Sequence, residues 1–142
     1  MTARSFLAGA ALLACVAAGC GGGGGGGGAA TSEQDVHQGV KDFATAVNKR
    51  DGKKLCNELI TRSYLEQVTL AKGPTAVKQC ERQIDSARLQ QKYKVVKFDK
   101  TKIDGDRATV TAELESRGVR RPQVFRLRKQ DGKFKLTSGA TD

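Results

Sequence analysis

Apolar residues recur with two different periods along this chain, and the change falls near Tyr93. Before it the spacing is helical. Val36, Val40, Phe43 and Val47 fall at i, i+4, i+7 and i+11, which puts them on one face of an amphipathic helix. Thr31-Ser32, followed by Glu33 and Asp35, predicts the start of that helix through capping oxygens and acidic first-turn residues. Asn48 to Gly52 predicts its end. A second helix carries Leu55, Cys56, Leu59 and Ile60 and resumes through Tyr64, Leu65 and Val68. Gly73-Pro74 breaks the chain, and Pro74-Thr75 opens a third helix with Val77, Cys80, Ile84 and Ala87 on its buried side.

From Tyr93 onward the period is two. Val96 and Phe98 alternate in a first strand, and Ala108, Val110, Ala112 and Leu114 in a second. Phe125 and Leu127 mark a third, Phe134 and Leu136 a fourth. Asp104-Gly105-Asp106 and Asp131-Gly132 predict hairpin turns. Read as a three-residue loop, the first turn sets Phe98 opposite Ala112 and Val96 opposite Leu114. Leu114 with Phe125, and Ala112 with Leu127, then keeps the apolar residues on one face. The expectation is an α+β domain: three N-terminal helices packed on a curved four-stranded antiparallel sheet, spanning residues 31–142.

The segment before it reads as an address. Met1 to Arg4 is a short positive start, Ser5 to Ala18 is uncharged and apolar, and Gly19-Cys20 follows. This is the layout of an export signal over residues 1–19, and the apolar run is short for a membrane span. Val16-Ala17-Ala18-Gly19-Cys20 resembles the lipobox of bacterial lipoproteins, which implies diacylation of Cys20 once the signal is removed. Cys15, after Leu12-Leu13-Ala14, is a rival acceptor, and plain secretion is a third outcome. Two acyl chains suffice for stable anchoring, at about 0.8 kcal/mol per buried methylene. Gly21 to Gly28 and Ala29-Ala30 then read as a flexible tether over residues 20–30, with an r.m.s. reach of roughly 16–19 Å for ten residues. No Lys-Ser/Thr follows the glycines, so they do not form a phosphate-binding loop.

Cysteine usage follows from this. With Cys15 removed and Cys20 acylated, Cys56 and Cys80 remain on the apolar faces of the second and third helices. An exported domain matures in an oxidising compartment, where two such thiols pair. A catalytic thiol would want a histidine nearby, and His37 is the single one in the chain. One histidine and four scattered cysteines give no zinc-type ligand spacing, and no metal or cofactor is implied.

Charge is the remaining signal. The 142 residues carry 25 Lys+Arg against 15 Asp+Glu, a formal net charge of +10. On the outward phase of the sheet Arg126 and Arg128 sit beside Lys133 and Lys135. Arg128 is expected opposite Lys135, and Glu113 opposite Arg126. Arg117, Arg120 and Arg121 add a cationic loop. These seven residues are candidate contacts for an anionic lipid, a cell-wall polymer or an acidic protein, against the simpler reading of a solvated face. Export and the lack of interleaved aromatic residues argue against nucleic acid.

The helix over 35–48, Arg50-Asp51-Gly52, Leu55-Cys56, Leu59-Ile60-Thr61, Cys80, Gly105 to Val110 and Asp131 to Leu136, in that order, resembles the NTF2-like (SnoaL-like) superfamily. Within it, the chain is most similar to small exported lipoproteins of actinobacteria. The resemblance covers Asp35 to Ser138 and implies helices packed into the concave face of a sheet, with a cone-shaped pocket between them. It also implies an interhelical Cys56–Cys80 bridge. The family's first β-hairpin has no counterpart in residues 64–73, and Phe134 stands where a Trp is usual, which together imply a smaller cone.

Enzymes of the superfamily, such as ketosteroid isomerases and polyketide cyclases, project Asp, Tyr or Arg side chains into the cone. Here the inward phase reads Val96, Phe98, Ala108, Val110, Ala112, Leu114, Phe125, Leu127 and Leu136, none able to accept a proton. Asp104, Asp106 and Asp131 are explained by their turns, Tyr64 and Tyr93 by the edge of the core, and His37 as a surface or capping residue. The expectation is a membrane-anchored, extracytoplasmic lipoprotein with a non-catalytic binding or accessory domain. The second reading is a small-molecule-binding cone with isomerase-type or cyclase-type chemistry. A cavity of a few hundred Å³ lined by Tyr or Asp favours the second, and a filled core the first.

Overall fold

The computed structural model describes residues 27–87 and 92–141. The signal over 1–19, Cys15, Cys20 and the glycines up to residue 26 lie outside the described residues. Helix α1 (Gly27–Lys49) leads into a single turn, α2 (Gly52–Lys54), and a π-helical turn (Leu55–Leu59). Helices α3 (Arg62–Thr69) and α4 (Pro74–Ser86) follow. Strands β1 (Lys94–Asp104), β2 (Arg107–Ser116), β3 (Val119–Gln130) and β4 (Lys133–Thr141) form one antiparallel meander in the order β1-β2-β3-β4. The α+β class and the four-stranded sheet are as the periodicity predicts.

Helix α1 lies on the sheet through the expected stripe. Val36 and Val40 are fully buried, as is Ala46, with Phe43 and Val47 half-buried. The approach is close at Gly39. A Cβ there would stand 3.1 Å from the Phe134 carbonyl oxygen and 3.3 Å from Leu127 Cδ2, so the missing side chain sets the helix-to-sheet distance. The helix starts earlier than the capping residues predict. It runs through Thr31-Ser32 from Gly27, because Ala29-Ala30 favour helix and nothing at residues 31–32 stops it. The flexible tether expected through residue 30 therefore does not extend over 27–30.

The expected second helix is divided. Ile60 leaves the helical conformation (φ −116°, ψ 139°) and bridges Leu136 in parallel, and the Thr61 N–H donates to the Leu136 carbonyl at 2.8 Å. A long-range pairing with β4 thus interrupts a locally helical pattern. Thr61 is buried and begins α3. Leu65 is buried, whereas Val68 is half exposed and Leu70 is left in solvent beyond the helix end. On α4 the buried residues are Ala76 and Cys80, with Val77 and Ile84 packed against the core.

Cys56 in the π-helical turn and Cys80 on α4 form the disulfide, with Cα atoms 6.1 Å apart. Nearby, Gly52 lies so close to α4 that a Cβ would meet Asp85 Oδ1 at 2.9 Å and the Glu81 carbonyl at 3.0 Å.

The sheet departs from the expected register in two places. Phe98 does face Ala112, but Leu114 pairs with Val95, because bulges at Val96 and Asp99 shift the phase of β1. Between β2 and β3 the turn is only Arg117-Gly118, both at positive φ (53° and 76°), the geometry of a two-residue hairpin. Val110 therefore pairs with Phe125 and Ala108 with Leu127, and Glu113 faces Pro122 rather than Arg126. Pro122 lies where β4 does not reach, since β4 pairs with β3 only from Val124 onward. At that end β3 runs on past β4, whereas β2 stays paired with β1 as far as Lys94 and Glu115.

Candidate functional site

A cavity opens between α1 and this end of β2 and β3. Phe43, Ala44 and Val47 on the C-terminal half of α1 form one wall, and Ile84 of α4 and Tyr93 flank it. The facing wall is the inward phase of the hairpin: Leu114 and Ser116 from β2, and Val119, Arg121, Gln123 and Phe125 from β3. Arg117 stands at the turn. The volume is about 650 Å³, within the range of about 300–1,000 Å³ usual for small-molecule sites. Between α1 and the hairpin the domain is open.

Tyr93 is held by α1. The Asn48 side chain donates to the Tyr93 carbonyl at 2.7 Å and accepts from its N–H at 2.8 Å, matching the bonds a neighbouring strand would make. A residue read from sequence only as a helix terminator thus fixes the cavity edge. Ser116 Oγ is buried without a hydrogen-bond partner among the described residues.

The strand alternation carries two polar side chains inward. With Phe125 and Leu127 facing the core, Gln123 and Arg121 face the same side, next to Ala112 and Leu114 on β2. Reading residues 117–122 as a loop hid this, although the two-residue period continues unbroken from Leu127 back to Val119. None of the lining residues is acidic.

The seven predicted cations separate into four groups. Arg117 and Arg121 line the cavity. Arg120 lies on the outward phase, its guanidinium 2.8 Å from Glu115 and 3.8 Å from Glu113. Lys97 takes Asp99 at 2.8 Å and Glu113 at 3.4 Å. Its hydrogen bonds to those carboxylates hold its ammonium pKa above the ordinary value. At the far end of the sheet Arg128 does face Lys135, in line with Arg107. Asp106 accepts from Arg128 Nε at 2.8 Å, which lowers its carboxyl pKa, and Asp131 takes Lys135 at 3.2 Å. Arg126 and Lys133 are exposed; Arg126 pairs with Thr109, not with a carboxylate.

His37 is half-buried in the α1–β1 contact. Its ring stacks on Phe98 with centroids 3.8 Å apart, and Nε2 lies 2.7 Å from Thr101 Oγ1. Burial is the main cause lowering its pKa, opposed by Glu33 and aided by Lys41. It lies outside the cavity lining and pins α1 to β1. No cluster of His, Cys, Asp and Glu among the described residues has the grouping of a metal site, and no described helix is long and apolar enough to cross a membrane.

No family profile matches the chain, and no curated protein sequence matches it. Among solved structures it is similar to a de novo designed NTF2 fold protein, NT-9, at 15% identity and a TM-score of 0.43, over 74% of this chain and 83% of that one.

Proposed function

We propose that this chain is a membrane-anchored, extracytoplasmic lipoprotein whose α+β domain is a non-catalytic binding module that takes an apolar small molecule between α1 and the β2–β3 hairpin. The observation that carries the binding role is the cavity of about 650 Å³, walled by Phe43, Val47, Ile84, Leu114 and Phe125. The cavity with Tyr93 in its lining favours the small-molecule-binding cone over a filled core, and a lining with no carboxylate or imidazole to abstract a proton favours binding over isomerase-type or cyclase-type chemistry. The anchoring role rests on the N-terminal pattern ending at Cys20, and a paired Cys56–Cys80 suits an oxidising compartment. The bilayer, reached through the acylated cysteine, is the first partner. Anionic lipid, cell-wall polymer or an acidic protein are the contacts open to Arg126 and Lys133.

Two measurements on the full chain test this. Intact mass of protein recovered from membranes is expected to show a diacylglyceryl group on Cys20; an uncut, unmodified chain in the soluble fraction overturns the anchoring role. Nile red, a neutral apolar dye, is expected to bind the wild type. It should bind Ala44→Trp or Gln123→Trp, which fill the cavity from opposite walls, at least tenfold more weakly. Equal binding by both folded variants overturns the cavity as the site.

A further inference from the structure

We infer that the cavity is built for a single-chain amphiphile with an anionic head, its tail against α1 and Phe125 and its head between Arg121 and Arg117. The inference rests on the binding role proposed above and names the ligand chemistry.

Two observations converge on it. The cavity is graded: Phe125 and Ala44 are almost fully buried, whereas Arg117 and Arg121 are exposed, so apolar floor and cationic rim belong to one space. Next, the rim cations lack counter-charges. Glu113 and Glu115 lie on the opposite face of the hairpin and are taken by Arg120 and Lys97. Neither Arg117 nor Arg121 has an ion pair among the described residues, and the lining supplies no carboxylate. A guanidinium beside an apolar cavity, without a carboxylate of its own, is suited to bind one or a phosphate in bidentate fashion.

A ten-carbon chain with its head group fits inside the volume. At about 30 Å³ per water-sized group, 650 Å³ holds about twenty non-hydrogen atoms. A fatty carboxylate and an alkyl phosphate monoester share the required chemistry.

The test is titration of the full chain with a ten-carbon series: decanoate, decyl phosphate, decanol and decyltrimethylammonium. Both anions are expected to bind one to one and at least tenfold more tightly than the cationic compound, and the tighter anion identifies the head group. Octanoate is expected to bind about tenfold more weakly than decanoate, from the loss of two buried methylenes. Arg117→Gln with Arg121→Gln should weaken both anions about tenfold and leave decanol unchanged. Both side chains are exposed, so the fold does not depend on them, and salt gives a variant-free readout. Raising it should weaken the anions but not decanol. Decanol and decanoate binding equally, or anion binding indifferent to both arginines, overturns the inference while leaving the binding role intact. Failure of all four compounds to bind overturns both.

Discussion

Breaking the Cys56–Cys80 bridge is the most informative single perturbation of this domain. Helix α4 packs chiefly against α2, α3 and the π-helical turn rather than on the sheet. The bridge is its one covalent tie to the π-helical turn, which in turn contacts β4. The sequence separation is 24, and closing a loop of that length removes about 3.5 kcal/mol of unfolded-chain entropy in the loop-closure treatment. Against a typical domain stability of about 5–15 kcal/mol, that is a large share. At about 3–6 °C per kcal/mol for a chain of this size, the melting temperature should fall by about 10–20 °C. Burial of both sulfurs means the double alanine variant also loses some packing, so reduction of the wild type is the cleaner comparison. The assay is thermal unfolding by circular dichroism with and without a phosphine reductant, the thiol count being verified by alkylation and intact mass. Hydrogen exchange should show residues 74–86 loosening before the sheet. A melting temperature lowered by less than about 3 °C, with two thiols confirmed free, would refute the idea that the bridge holds the helical layer together. Because Ile84 lines the cavity, reduction should also weaken Nile red binding.

Gly39→Ala should destabilise by about 1 kcal/mol despite the better helix propensity of alanine. The new methyl meets a β4 carbonyl at 3.1 Å that the sheet holds in place. A urea titration showing a stabilised variant would place α1 farther from the sheet than described. For His37 the sign is set by a pKa lowered from its ordinary 6.5. The neutral ring is favoured in the fold, so its contribution is complete above pH 6.5 and is lost as pH falls below it. The wild type should therefore lose more stability than His37→Gln between about pH 7 and 5. Stabilisation of the wild type on acidification would mean that the Glu33 attraction outweighs burial.

Much of this architecture is legible in the order of apolar residues, because burial on one face imposes a period that any reader of the chain can count. The α1 stripe at Val36 and Val40, the Asp131-Gly132 hairpin and the cysteine pair are of this kind. What escapes are features decided by long-range contact. The break at Ile60 exists because β4 offers a pairing partner, which no local window contains. Val95 and Val96 are both β-branched and apolar, so only the partner strand decides which one faces inward. The cavity was hidden by one short turn. Arg117-Gly118 lacks the usual Asn or Asp, so Val119 and Arg121 read as loop rather than as strand residues facing Phe43 and Val47 across the cavity.

The two irregular strand pairings both lie at the outside of the meander. The central β2–β3 ladder runs without a shift, whereas β1 and β4 each carry bulges against their neighbours. Strand β1 also sets Lys94, Lys97, Lys100 and Lys102 along its length. Bent and cationic borders repel another copy approaching strand to strand. The unbroken β2–β3 ladder is thereby shielded on both sides from joining a larger sheet.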